Sequence, residues 1–123
     1  MECYFINLES DIIRKEKTII ELSKIKDIKI NRFDAINGIK ETSSGKYDNY
    51  ISNISKIICT PKIIGCGLSH IMLANKLHSE LKHDFAIVFE DDIKIDDTNE
   101  TDIRSKVISI VENVSNIDKE WDI

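Results

Sequence analysis

Short apolar runs alternate with helical stripes along this chain. Cys3 to Leu8 (CYFINL) is a compact apolar run and predicts a first strand. Ser10 or Asp11 can cap the helix that follows, where Ile12, Ile13, Ile19, Ile20 and Leu22 recur at helical spacing up to about Lys24. Ile28 to Phe33 (IKINRF) alternates apolar and polar residues and predicts a second strand, with Asn37-Gly38 marking a turn. Residues 40–49 (KETSSGKYDN) are the most polar stretch and read as a mobile loop. Tyr50 to Ile58 suggests a short helix ended by Pro61. Gly65-Cys66-Gly67 then precedes a helix to about Lys82, with Leu68, Met72, Leu73, Leu77 and Leu81 as its buried stripe.

Phe85 to Phe89 (FAIVF) is a continuous apolar run, as expected of a central strand covered on both faces, and it ends in Glu90-Asp91-Asp92. Ile103, Val107, Ile110, Val111 and Val114 mark a last helix, capped by Thr98 or Thr101, and Trp121-Asp122-Ile123 reads as the beginning of another strand. Strands separated by helices predict an α/β fold, a three-layer α/β/α sandwich on a mainly parallel sheet, in one domain spanning residues 1–123. In such sheets ligands bind beyond the carboxyl ends of the strands. Attention therefore falls on the residues after Leu8, the residues after Phe33, and Glu90-Asp91-Asp92.

Composition narrows the class. The chain has 123 residues, 41% hydrophobic and 32% charged, with four Gly and one Pro, and its formal net charge is −5. That describes a folded chain, and the acidic balance argues against nucleic acid and anionic membrane as partners. About a fifth of the residues are Ile, which enriches strand formers without indicating chemistry. No segment is apolar enough to span a bilayer, and the N-terminus lacks the basic start of a signal peptide. Cys3, Cys59 and Cys66 are odd in number and form no CxxC pair, which points away from a disulfide scaffold or zinc site and towards a cytoplasmic setting with reduced thiols.

The acidic triplet is the first candidate for chemistry. Adjacent carboxylates repel unless something positive is near. In an extended segment Glu90 and Asp92 point the same way and Asp91 the opposite way, so Glu90 and Asp92 can share Mn²⁺ or Mg²⁺; a solvated strand end is the alternative. Asp96 and Asp97 extend the acidic run, but Asp97 stands where an EF-hand loop needs Gly. Arg14, in the first turn of the first helix, opposes the helix dipole. It suits either a bound anion or an ion pair with Asp11. Ser69 and His70 open the long helix, Ser69 as a cap and His70 as a contact or acid/base group. GxSxG, GxGxxG and P-loop motifs do not occur. A phosphorylation receiver domain fits poorly, since Glu9 and Asp11 are a weak acidic pair and Lys119 precedes the final strand.

Four segments in order resemble glycosyltransferase family 25, the lipopolysaccharide-type glycosyltransferases: FINLESDIIR (5–14), RFDAING (32–38), GCGLSH (65–70) and AIVFEDD (86–92). The resemblance implies a GT-A type nucleotide-sugar fold, a UDP-sugar donor (often UDP-galactose), a saccharide or glycoconjugate acceptor and a divalent cation such as Mn²⁺. It places Ile6, Asn7, Leu8 and Arg14 on the nucleotide side, with Ala35, Gly38, Ser69 and His70 also towards the donor. Asp92 is then the first metal ligand, with Glu90 or Asp91 assisting near metal or ribose. GT-A domains are usually about twice this long, so the chain looks like the donor-binding half of such an enzyme. It reads as a fragment of a longer protein, a truncated gene product or a domain that works with a second chain; the alternative is a non-catalytic remnant with a nucleotide-binding or protein-interaction role, self-associating through its open sheet edge.

Overall fold

The computed structural model describes residues 1–80, 85–95 and 103–118. Three strands, β1 (Glu2–Asn7), β2 (Lys29–Asp34) and β3 (Ile87–Glu90), form a parallel sheet in the order β2-β1-β3. The helices are α1 (Ile12–Ser23), α2 (Gly38–Ser44), α3 (Asn53–Ile58), α4 (Pro61–Glu80) and α5 (Ile103–Ile117). The fold is α/β, as the alternation of patterns predicts.

β1 is central. It registers Asn7 against Asp34 on one side and Ile6 against Glu90 on the other, so all three carboxyl ends finish at one edge. Alternate residues of a strand point to opposite faces, and β1 is apolar on both. Cys3 and Phe5 pack with Leu22 and Ile25 at the end of α1 and with Ile95. Tyr4 and Ile6 pack with Leu73 and Leu77 of α4. Ile51, Ile64 and Leu68 form a third cluster within the helical crossover between β2 and β3.

The structure differs from the pattern reading in four places. α4 begins at Pro61, so Pro61 opens a helix, where its missing N–H costs nothing, and Gly65, Cys66 and Gly67 lie inside that helix. Residues 38–44 are α2, not loop: Asn37 is its cap, accepting from the Lys40 amide, and Gly45 ends it at φ 72°. On α1 the buried residues are Thr18 and Leu22, while Ile12, Ile13, Ile19 and Ile20 are exposed. β3 begins two residues later than the apolar run, and its Ile87, Val88 and Phe89 are only half-buried. Leu81, Asp96, Asp97, the proposed caps Thr98 and Thr101, Lys119 and the Trp121–Ile123 strand lie outside the described residues.

Candidate functional site

The carboxyl edge of the sheet is held together by one polar network. Asn7, the last residue of β1, is 1% exposed. Its amide nitrogen donates to Asp91 Oδ2 at 2.7 Å and to the Asp11 carbonyl at 3.2 Å, and its Oδ1 accepts from Arg32 Nε at 3.1 Å. Arg14 Nη1 reaches Asp91 Oδ1 at 2.9 Å. This contact, followed by the charge of Asp91, pushes the Arg14 guanidinium further up from its ordinary value. The Thr18 hydroxyl lies 2.9 Å from both the Arg14 and the Asp91 carbonyl oxygens. Arg32 also pairs with Asp34. Both Asp91 carboxylate oxygens are therefore engaged, and the turn after β3 is pinned to β1 and α1.

Beside this network, beyond the ends of β1 and β2, lies a cavity of about 340 Å³. Leu8, Ala35, Ile36, Lys40 and Tyr47 line it, with Glu9, Ser10, Asp34, Asn37 and Glu41. Next to the lining residues Ile36 and Asn37, α2 crosses close to α4. A Cβ on Gly38 would stand 1.7 Å from the Pro61 carbonyl oxygen, and one on Gly65 would stand 2.6 Å from the Gly38 nitrogen and the Ile36 oxygen. Only hydrogen side chains permit that approach of α2 to α4. Ser69, fully buried, fastens the segment: its hydroxyl donates to the Gly65 carbonyl at 2.7 Å and accepts from the Ile36 amide at 2.8 Å.

On the other side of β3 a second group assembles. Cys66 and His70 are one turn apart on α4, and Glu90 ends β3. Glu90 Oε1 is 3.6 Å from Cys66 Sγ and 3.3 Å from His70 Nε2. Partial desolvation, and then the Glu90 carboxylate, push the Cys66 thiol up. Asp92 is exposed in the turn.

The site residues read from sequence thus fall into different settings. Asn7, Arg14 and Asp91 are joined in one network. Leu8 and Ala35 line the cavity. Ile6, Gly38 and Ser69 are buried behind it, packing or bonding the elements that shape it. His70 and Glu90 meet each other, with Cys66. Sequence reading missed Thr18, Arg32, Tyr47 and Cys66. The available signal for Cys66 was its i, i+4 spacing from His70, hidden by starting the helix after Gly67. Thr18 and Arg32 gave no local signal, because their partners come from β1 and the turn after β3.

The description Glycosyltransferase family 25 (LPS biosynthesis protein) belongs to the family model that matches residues 1–121. No curated protein and no solved structure gives a significant match to the chain.

Proposed function

Because the chain belongs to glycosyltransferase family 25, we propose that it binds a UDP-sugar, galactose being the sugar the family resemblance suggests, for transfer to a saccharide or glycoconjugate acceptor. The fold proposed with it is the GT-A type, a three-layer α/β/α arrangement in which this chain forms the donor side. The observation that carries the reading is the cavity at the carboxyl ends of β1 and β2, where parallel α/β sheets bind ligands. Its wall combines Leu8, Ala35 and the Tyr47 ring with Asn37 and Lys40, a mixture suited to a base and ribose. Three free cysteines support a reducing, cytoplasmic setting.

Arg14, held by Asp91 at the rim of α1, supplies positive charge towards the diphosphate. Asn7, Thr18 and Arg32 fix that rim, and Gly38, Gly65 and Ser69 hold the segment that brings Ile36 and Asn37 to the cavity wall.

Oxygen donors suit Mn²⁺ or Mg²⁺. Asp91 has both carboxylate oxygens occupied and Glu90 Oε1 faces Cys66 and His70, whereas Asp92 is exposed, so Asp92 would be the first ligand of the cation, with Glu90 assisting through its other carboxylate oxygen. When bound, the cation supplies charge stabilisation to the diphosphate leaving group.

Titrating UDP calorimetrically into the protein with and without Mn²⁺ tests the reading. Metal-dependent binding that disappears in Asp92→Ala is expected. Absence of binding in both conditions overturns the donor site, and Mn²⁺-dependent binding retained in Asp92→Ala overturns the metal assignment.

A further inference from the structure

Cys66, His70 and Glu90 offer a thiol, an imidazole and a carboxylate whose ligand atoms all lie within 4.8 Å of one another. This is the one such trio among the described residues. Tetrahedral zinc with bonds of about 2.0–2.3 Å holds its ligands roughly 3.3–3.7 Å apart. The Glu90 oxygen already stands 3.3 Å from His70 Nε2 and 3.6 Å from Cys66 Sγ.

The rigidity of the frame adds to the spacing. Cys66 and His70 occupy successive turns of a 20-residue helix whose buried side carries Leu68, Ser69 and Leu73. Glu90 ends a strand paired to β1 through Ile6. The trio therefore comes from two elements held in place by the core, and little chain ordering remains for a ligand to drive. All three residues are exposed, so an ion can enter from solvent and keep one position open.

We propose that Cys66, His70 and Glu90 form a binding site for a borderline divalent metal of the zinc class, with three protein ligands and a fourth position open to water. A sulfur and an imidazole donor select against Mg²⁺ and Mn²⁺, which prefer all-oxygen surroundings. The site shares Glu90 with the one assigned to Asp92 but differs from it in donor chemistry, and it requires neither nucleotide nor sugar transfer. A bound ion clamps α4 to the end of β3 and fixes the direction of the Glu90 carboxylate.

Cobalt(II) is the probe, added to the chelator-treated full chain while near-ultraviolet absorption is followed. A thiolate-to-cobalt charge-transfer band is expected to saturate at one ion per chain and to vanish on adding Zn²⁺ but not Mg²⁺. Cys66→Ser is expected to abolish the band, and Cys59→Ser to leave it. Even indirect partners of a metal cost roughly 10–100-fold in affinity, so His70→Ala is expected to weaken cobalt binding by at least tenfold. Cys66 and His70 are exposed and Cys59 is half-buried, and circular dichroism checks that the variants fold. No band, a band that survives Cys66→Ser, or affinity unchanged in His70→Ala overturns the site. Because no UDP is present, these outcomes are independent of whether the donor reading stands.

Discussion

Replacing Asn7 by Ala removes the centre of the polar network while leaving the apolar core of β1 intact. The side chain makes one hydrogen bond to the Asp91 carboxylate, one with the Arg32 guanidinium and one to the Asp11 carbonyl. Bonds to charged groups contribute about 1.5–3 kcal/mol each and neutral ones about 0.5–1.5 kcal/mol. The side chains of Asp91 and Arg32 remain 15% and 22% exposed, so water recovers part of the loss, and a net destabilisation of about 3 kcal/mol is expected. For a chain of this length that is a fall in Tm of roughly 10 °C. Urea denaturation followed by circular dichroism measures it directly. The sharper assay is a double-mutant cycle with Asp91→Ala, in which the pair should couple by about 1.5–3 kcal/mol. A Tm shift below about 3 °C, or additivity within about 0.5 kcal/mol, would refute the claim that Asn7 ties the acidic turn to the sheet.

Other expectations follow from the same geometry. Gly65→Ala places a Cβ against three backbone atoms that cannot swing aside, and a loss of about 3 kcal/mol in urea denaturation is expected; a neutral effect would mean that α2 and α4 separate easily. Burial pushes the Cys3 thiol from an ordinary 9.0 up to about 11. Its raised folded pKa makes a contribution that is complete below pH 9 and lost as pH rises through about 11, worth about 3 kcal/mol. The fall in stability between those pH values should be smaller in Cys3→Ala than in the parent, and equal falls would count against a buried neutral thiol. Arg14→Ala should weaken UDP more than uridine, since only UDP carries the diphosphate; calorimetry showing equal losses would remove Arg14 from the phosphate side.

How much was legible beforehand depends on which residues carry the signal. The strand Cys3–Leu8, the helix at 103–117 and the acidic end of β3 follow from local patterns, because an alternating or continuous apolar run is itself the cause of a strand. The four family segments were equally legible, and the family match over residues 1–121 agrees with them. Residues 40–44 look like part of a loop in the sequence because Ser, Thr and Lys on a short helix carry no apolar stripe, although Asn37 and Gly45 stand at the two caps of α2. Gly65-Cys66-Gly67 reads in the sequence as the stretch preceding the helix. Gly65 is inside α4 because another backbone passes against it there, and Gly67 has open space around it.

The sequence by itself determined that strands and helices alternate, and that three acidic residues stand at the end of an apolar strand. Periodicity fixes which positions share a face, since that is a property of a single element. The tertiary structure decided which face each element turns inward. α1 buries Thr18 and Leu22 and leaves Ile12, Ile13, Ile19 and Ile20 outside. The tertiary structure also decided how the three adjacent acids are used. Asp91 turns to Asn7 and Arg14, Glu90 turns to Cys66 and His70, and Asp92 stays in solvent. Neighbours in sequence share one chain direction, but their partners arrive from β1, α1 and α4, and only packing of the sheet against those elements places opposite charges and donors within reach.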